Sequence, residues 1–233
     1  MTAKDILGKA LSENRSNLSL YESLRLVESY GIPVAEYGLA RTADEAVELA
    51  ERIGYPVVLK VSSPDVSHKT EIGGVIVGLK SRSDVRDSFR KISDSLSKHS
   101  PQAKLEGVVV QKMIEGGYEV IVGGLVDPQF GPVVVVGLGG IFVEVYKDVA
   151  FELAPVSLEE ALKALGTLKA IKILKGYRGK PPADLESLAE VVSKASNLLW
   201  EYKDFIGEMD LNPTFALPRG AVVADARIIL RRE

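Results

Sequence analysis

Four oxygen-bearing side chains near the carboxyl end of the chain are the clearest candidates for chemistry. In the motif EMDLNP, the alternation of a β-strand places Glu208, Asp210 and Asn212 on one face and the apolar residues on the other. A later aliphatic run contains a single acid, Asp225. If the two runs pair as strands, these side chains converge, and such oxygen ligands suit Mg²⁺ together with phosphate oxygens and water. A solvated polar sheet face is the alternative, and the aliphatic surroundings of Asp225 favour the metal.

Lys60 is a second candidate, because it interrupts the apolar strand pattern VVLKV. The loop that follows is small and polar and ends in Gly73 and Gly74. Such a loop can direct backbone N–H groups and a cation toward phosphate oxygens. It is not a Walker A loop, since the Gly-Lys-Ser/Thr ending is missing. A lysine that points to solvent from a half-exposed strand is the alternative interpretation.

His68 lies in the same loop. Beside a phosphate-type loop, a histidine can accept a phosphoryl group or donate to one. An exposed loop histidine without a role is the simpler interpretation of an isolated residue. The other histidine, His99, lies in a polar segment, and there the simpler interpretation is preferred.

Helices and short strands must position these residues. Ser or Thr followed three residues later by Glu predicts helix starts at Ser19, Thr42 and Ser157. Apolar periodicity predicts two further helices, over Val85–Leu96 and Leu185–Leu199. The β-branched runs predict strands over Pro56–Val61, Gly74–Leu79, Gly107–Met113, Glu119–Val126, Pro132–Val136, Phe205–Leu211 and Ala221–Leu230. Without strict βαβ alternation, the order favours an α+β fold with largely antiparallel sheets. The polar segment 97–106 is expected to separate two lobes.

Composition excludes several classes of site. The 233 residues contain no cysteine and two histidines, so disulfides, thiolate nucleophiles, Cys-ligated zinc and multi-His metal sites are excluded. At roughly 150 residues per domain, the length fits one large domain or two small ones. A net charge of −3 argues against sequence-independent nucleic-acid binding. With neither a long apolar segment nor a signal-peptide core, a cytoplasmic protein is expected. The missing cysteine and scarce Asn and Gln favour a thermophilic source.

Taken together and in this order, these features resemble an ATP-grasp domain. More narrowly, the chain is similar to the β (nucleotide-binding) subunits of archaeal ADP-forming acetyl-CoA synthetases, relatives of succinyl-CoA synthetase. The matching stretches are Tyr30–Val34, Gly54–Lys69, Ile72–Val77, Val136–Pro155, Gly207–Pro213 and Ala224–Ile228. The resemblance implies two α/β lobes that enclose a nucleotide. We expect an N-terminal extension over residues 1–18, a first lobe over 19–106 and a second over 107–233.

The resemblance also implies a reaction, acyl-CoA + ADP + phosphate ⇌ organic acid + ATP + CoA. In that family, a histidine of a separate CoA-binding α subunit carries the phosphoryl group to the ATP-grasp site. The resemblance implies that Lys60, with Gly73 and Gly74, binds phosphate, and that Gln111, Lys112 and Met113 contact adenine. It implies that Glu119 lies near the ribose or the arriving phosphohistidine, and that His68 carries the phosphoryl group transiently. Mg²⁺ would be bound by Asp210, Asn212 and Asp225.

A partner follows from the same resemblance. No Gly-x-Gly-x-x-Gly motif follows a predicted strand, so CoA binding is expected on an α subunit, in an α2β2 heterotetramer. Two alternatives remain open at this point. The first is a self-sufficient ATP-grasp carboxylate–amine ligase, which would not need His68. The second is a non-catalytic nucleotide-sensing subunit, which could lack the metal ligands that this chain retains. The organic acid and the choice between ATP and GTP are not determined by the sequence.

Overall fold

The computed structural model describes residues 2–66, 68–140 and 147–231. The helices in these ranges are α1 (Ala3–Ser12), α2 (Leu20–Ser29), α3 (Ala43–Ile53), α4 (Arg82–His99), α5 (Leu158–Thr167), α6 (Ile171–Leu174) and α7 (Leu185–Glu201). The strands are β1 (Tyr37–Ala40), β2 (Val57–Ser62), β3 (Val75–Leu79), β4 (Gly107–Lys112), β5 (Tyr118–Asp127), β6 (Gly131–Leu138), β7 (Val149–Leu153), β8 (Ile206–Ala216), β9 (Ala221–Val223) and β10 (Arg227–Leu230). None of the described helices is long and apolar enough to span a membrane. Part of the matching stretch Val136–Pro155 lies outside the described residues.

Two antiparallel sheets form the framework, which confirms the predicted α+β class. The first sheet has the strand order β1-β4-β2-β3 and packs against α3 and α4. The second has the order β10-β8-β5-β6-β7, with β9 also paired to β8. Its buried face packs with α1, α2, α5 and α7 in one large core. A smaller core lies under the first sheet.

Strand β4 belongs to the first sheet, where its residues pair with both β1 and β2. The change of sheet therefore falls between Lys112 and Tyr118, and the expected division after Glu106 does not coincide with it. The polar segment 97–106 does not separate the lobes either. Within it, the amide of Lys104 donates to Asp65 at 2.9 Å, and the amide of Glu106 donates to the Ser62 carbonyl at 3.0 Å. The segment is thus a connection inside the first sheet's own layer.

Helix caps fix several of these elements. Ser19 and Ser157 each form a complete capping box with the Glu three residues later, as the sequence predicts. Thr42 accepts the amide of Glu45, but the Glu45 carboxylate accepts the amide of Arg41, so that box is only half formed. A capping box that the sequence reading missed, Thr2 with Asp5, begins α1. The missed strands β1 and β7 are short and lie at sheet edges.

The second sheet leaves one face open. A cross-strand row on this face runs from Asp210 to Gly123, Val135 and Phe151, as the pairing of β8, β5, β6 and β7 dictates. Phe151 is 64% exposed, and the neighbouring Leu153 is 60% exposed. Asp210 is the polar end of the row, and the rest of the row is apolar. Exposed apolar surface of this kind is typical of interaction sites, so this face is a candidate for binding another molecule.

The residues expected to form an N-terminal extension are part of the large core. Ile6 and Leu7 of α1 are buried there, and Arg15 pairs with Glu22 of α2 at 2.6 Å. We therefore expect Ile6→Ala to lower the free energy of unfolding by about 2–5 kcal/mol, the usual cost of a buried cavity. Urea denaturation measures it, with the exposed Lys4→Ala as a control that changes stability by no more than about 0.5 kcal/mol. Equal, small effects of both changes would show that α1 is dispensable.

Candidate active site

Lys60 reaches from the first sheet to the second. It lies on β2, which is buried along its whole length, and its own side chain is almost fully buried. Its Nζ donates to the carbonyl oxygen of Ala224 at 2.7 Å and lies 3.9 Å from Oδ2 of Asp225. Burial lowers the pKa of Lys60 below its ordinary value, Asp225 opposes this effect, and Lys69 adds to it. The predicted phosphate-binding lysine is therefore a desolvated cation aimed between the sheets.

Asp225 lies in the interruption between β9 and β10, not in the continuous strand that the sequence suggested. The two short strands pair with different parts of β8, Val223 with Thr214 and Arg227 with Asp210. Asp225 consequently lies beside Asn212, as expected. Its Oδ1 is 3.0 Å from Nζ of Lys69 and also accepts the amide of Ala226 at 2.8 Å.

Strand β8 carries the remaining acids with the predicted alternation. Met209 and Leu211 are buried in the core, and Glu208 and Asp210 lie on the opposite face. Glu208 accepts a hydrogen bond from Arg227 at 2.5 Å. Burial raises the pKa of Asp210, Arg227 opposes the shift, and the charges of Glu208 and Asp225 raise it further. Within the described part of the chain, no hydrogen bond or ion pair engages the Asp210 carboxylate.

A cleft of about 740 Å³ lies between the sheets, and most of the predicted site residues line it. Its walls include Lys60, Gln111, Lys112, Met113, Glu119, Asn212 and Asp225. Aliphatic and aromatic side chains complete it, namely Val58, Val75, Val77, Ile114 and Phe215. A cleft with an apolar part and a charged part suits a ligand that has a flat apolar base and a phosphate tail.

The three residues expected to contact adenine, Gln111, Lys112 and Met113, form hydrogen bonds within the chain. Gln111 is buried, with Nε2 3.4 Å from the Ala35 carbonyl. The ammonium of Lys112 donates to the carbonyls of Gly54 and Tyr55 at 2.8 and 3.2 Å. The amide of Met113 donates to the Pro56 carbonyl at 3.1 Å. These bonds tie the end of β4 to the turn before β2, so they hold the cleft wall in place.

Glu119 lies at the border of two cavities. It lines the large cleft and also a neighbouring cavity of about 440 Å³ that includes Gly139, Gly140, Arg178 and Lys180. Its carbonyl accepts the amide of Gly139 at 2.8 Å, and its side chain is exposed. The carboxylate is thus free to contact a ligand that extends along the cleft.

Gly73 and Gly74 do not present their amides to the cleft, contrary to expectation. The amide of Gly73 donates to the Thr70 carbonyl at 3.0 Å, and that of Gly74 donates to the Lys69 carbonyl at 2.7 Å. A Cβ at Gly74 would lie 2.6 Å from a methyl of Val61 and 2.9 Å from the Lys69 oxygen. The glycine pair therefore closes the loop onto β2, and its amides are consumed in doing so.

His68 lies at the rim of a second, smaller cavity of about 300 Å³. The cavity is also lined by Lys69, Asp210, Asn212, Asp225 and Arg227. His68 is 66% exposed, and its Nδ1 is 3.7 Å from a carboxylate oxygen of Glu71. The histidine thus lies at the mouth of the acid cluster and is accessible from solvent.

The donor set fits a magnesium ion that completes its shell with a ligand's oxygens. Asp210, Asn212 and Asp225 supply oxygens around one cavity, and the half-buried Asp210 has no cation of its own among the described residues. No group of three or more His, Cys, Asp or Glu side chains in the described ranges is placed to hold a metal ion. Mg²⁺ is commonly bound by one or two carboxylates with phosphates and water, so this sparse set suits it.

Sequence reasoning missed two cations. Lys69 and Arg227 both line the acid cluster, although neither stood out in the sequence. Arg227 follows Asp225 by two residues on the same polypeptide segment, so strand alternation could have identified it. Lys69 could not be found in this way, because the loop conformation that directs it to Asp225 depends on the Gly73–Gly74 turn.

Comparison with known proteins agrees with this geometry. The ATP-grasp domain family matches residues 9–230. ADP-forming acetate–CoA ligase I subunit beta of Pyrococcus furiosus is 45% identical over 228 residues, which cover 98% of this chain and 97% of that subunit. ADP-forming acetate–CoA ligase I of Archaeoglobus fulgidus is 45% identical over 231 residues, 99% of this chain but 33% of that longer protein.

A solved structure is equally similar. It is the Candidatus Korarchaeum cryptofilum dinucleotide-forming acetyl-coenzyme A synthetase 1, in complex with coenzyme A, Ca-AMPCP and HgCl⁺. It shares 44% identity and a TM-score of 0.94, over 99% of this chain and 100% of that chain. A second complex of the same protein contains coenzyme A and Mg-AMPPCP, with a phosphohistidine segment pointing towards the nucleotide-binding site, and superposes with a TM-score of 0.86. With this fold, this site and these identities, the chain belongs to the ATP-grasp family and, within it, to the β subunits of ADP-forming acetate–CoA ligases.

Proposed function

We propose that the chain transfers a phosphoryl group between ADP or ATP and a phosphohistidine of a CoA-binding α subunit. The net reaction is acyl-CoA + ADP + phosphate ⇌ organic acid + ATP + CoA. The observation that carries this proposal is the convergence of Lys60, Asp210, Asn212 and Asp225 where the nucleotide-sized cleft meets the cavity of His68. One cavity offers a place for the nucleotide, and the other is open to a phosphoryl group that arrives from outside.

The cleft gives the nucleotide an orientation. Its aliphatic and aromatic walls between β2, β3 and β8 suit the base, and the Glu119 carboxylate would accept a hydrogen bond from a ribose hydroxyl. The phosphates would then extend toward Lys60, whose ammonium is the desolvated cation of the site. A cation in a partly dry cleft attracts phosphate oxygens more strongly than one in water.

Transfer toward ADP breaks the N–P bond of the phosphohistidine and forms an O–P bond to the terminal phosphate of ADP. Such a step needs alignment and charge neutralisation more than covalent help. Lys60 supplies positive charge at the phosphate oxygens, and the oxygens of Asp210, Asn212 and Asp225 would hold Mg²⁺. When bound there, the ion would supply positive charge that offsets the charge of the phosphate oxygens. The Mg-AMPPCP complex of the Korarchaeum protein supports this choice of metal.

In this proposal, His68 receives the phosphoryl group between the two proteins. Its exposed ring is reachable by a protein segment, and the acid cluster lies on the other side of it. A histidine carrier keeps the phosphoryl group in an N–P bond, which is comparable in energy to the bond of ATP and therefore suits a reversible reaction. The Glu71 carboxylate, 3.7 Å away, would orient the imidazole.

The partner is supported by two observations. The Archaeoglobus relative continues well beyond the part that aligns here, so in that protein this domain is joined to further polypeptide. The open face of the second sheet is apolar at Val135 and Phe151 and continues to Asp210. An α subunit that covers this face would bring its phosphorylated segment to the acid cluster. By analogy with the family, we propose an α2β2 assembly.

Reconstitution tests this function. The phosphorylated α subunit is mixed with the chain, Mg²⁺ and ADP, and ATP is measured in a single turnover. We expect transfer only when both proteins are present, and His68→Ala to slow it by about a hundredfold or more, as for loss of a group that handles the reacting proton or phosphoryl. His99→Ala is the matched control, because His99 lies at the end of α4, bonded to Ser95.

Three results would contradict the proposal. Turnover of acyl-CoA by the chain without a partner would show a self-sufficient enzyme. An unchanged rate in His68→Ala would exclude the relay and favour the carboxylate–amine ligase. ADP binding with no phosphoryl exchange in the complete complex would instead identify a nucleotide sensor.

The substitution Lys60→Met tests whether Lys60 serves ADP binding or the stability of the fold. Loss of a charge-assisted hydrogen bond to phosphate costs about 1.5–3 kcal/mol, or roughly 10- to 150-fold in the Kd for ADP. The Tm should change little, because the removed ammonium is desolvated and bonded mainly to a carbonyl. Calorimetric titration and thermal unfolding measure the two effects, with the exposed Lys91→Met as the control. A large fall in Tm with unchanged ADP affinity would make Lys60 a structural residue.

The open sheet face gives a separate test of the partner. Phe151→Ser should weaken association with the α subunit by about tenfold or more, since aromatic anchors of an interface commonly contribute 2 kcal/mol. ADP binding to the chain alone should stay unchanged, because Phe151 does not line the nucleotide cleft. Leu162→Ser, an exposed residue on α5, is the control. Biosensor measurements of the two proteins would detect the difference, and equal affinities would place the α subunit elsewhere.

A further inference from the structure

The charged groups of the site are paired with one another. Lys69 contacts Asp225 at 3.0 Å, and Arg227 contacts Glu208 at 2.5 Å. Lys60 donates to a carbonyl and lies farther from Asp225, at 3.9 Å. Among the described residues, the cation closest to the proposed metal ligand Asp225 is therefore Lys69.

The loop is built to hold Lys69 in this place. The amide of Gly74 donates to the carbonyl of Lys69 itself, and the amide of Gly73, at φ +66°, donates to the next carbonyl, that of Thr70. Any side chain at Gly74 would press on the Lys69 oxygen. The Lys69 side chain is only 12% exposed, so its ammonium is directed inward rather than into solvent.

This position creates a competition. Oδ1 of Asp225 is engaged by the Lys69 ammonium and the Ala226 amide, and Oδ2 faces Lys60. A divalent cation bound to Asp225 would lie close to both ammonium groups, and like charges at such distances repel strongly in a partly buried site. Phosphate oxygens, in contrast, attract all three. Binding a metal together with phosphates would therefore favour a new set of pairs.

We propose that Lys69 is an exchangeable counter-ion: it neutralises Asp225 until a metal–nucleotide complex binds, and then moves to the terminal phosphate oxygens of that nucleotide. The exchange rests on the proposed function of the cleft. Lys69 acts as a positioning residue, because it keeps the metal ligand oriented and prevents a bare metal ion from occupying the site. No bond is made or broken in this exchange, since only charge-assisted hydrogen bonds change partners.

The proposal predicts that one substitution changes two binding affinities in opposite directions. Mn²⁺, as a probe of the metal site, is titrated into the protein without nucleotide and followed by electron paramagnetic resonance. Lys69→Met should bind Mn²⁺ about threefold tighter or more, because Asp225 loses its competitor. The same variant should bind ADP about tenfold more weakly at saturating Mg²⁺, because a contact to the terminal phosphate is lost. Lys69→Arg should retain most of the ADP affinity, and Lys91→Met should change neither constant.

The Asp225→Asn background separates exchange from a general effect of charge. If Lys69 competes for the Asp225 carboxylate, Lys69→Met will not tighten Mn²⁺ binding further in Asp225→Asn. Equal tightening in both backgrounds would overturn the exchange, as would Mn²⁺ binding that is unchanged or weaker in Lys69→Met alone. Unchanged ADP affinity would overturn the contact to phosphate. If wild-type protein binds neither ADP nor Mn²⁺, the proposed function itself has failed.

Discussion

The reach of Lys60 from one sheet to the other is the interaction on which the site depends. Its ammonium is buried, and the groups that meet it are a carbonyl at 2.7 Å and a carboxylate at 3.9 Å. Neither fully replaces water around a cation, so the arrangement is costly in isolation. The same desolvation strengthens any later contact with an anion. The cleft therefore holds a cation whose full electrostatic complement is a ligand between the sheets.

The partner of this lysine is an irregular piece of sheet, and the irregularity is useful. Residues 224–226 lie between β9 and β10, which pair with separate parts of β8. The backbone there keeps its hydrogen bonds by other means, since the Ala224 amide donates to the Pro213 carbonyl and the Ala226 amide to its neighbour's carboxylate. Regular pleating would have forced successive side chains onto opposite faces of the sheet. The interruption lets Ala224 offer its carbonyl and Asp225 its carboxylate to the same lysine.

Local patterns predicted the elements and the acids well, because both follow from periodicity. The alternation along β8 correctly placed Asp210 and the buried Met209, and the serine caps correctly began α2 and α5. The pairing of strands that are distant in the sequence was harder to predict. The aliphatic sequence of β4 would suit either sheet, and only its pairing with β1 and β2 shows that it belongs to the first. The Gly73–Gly74 pair was correctly placed at the end of the loop after β2, but the direction of its amides depends on which carbonyls are close in three dimensions.

The location of the acids bears on the kind of phosphoryl donor. An enzyme that joins an acid to an amine must enclose both to exclude water from its acyl phosphate. Here Asp210 is followed across the open sheet by Gly123, which has no side chain, and then by the half-buried Val135 and the exposed Phe151. A surface of this kind is suited to another protein rather than to a small molecule. His68 is also exposed at the rim of the acid cluster, so a protein that covered this surface would enclose the side of the site that faces the proposed donor. In the proposed reaction, the partner that brings the phosphoryl group would also exclude water, and the N–P bond would then be protected from hydrolysis during transfer.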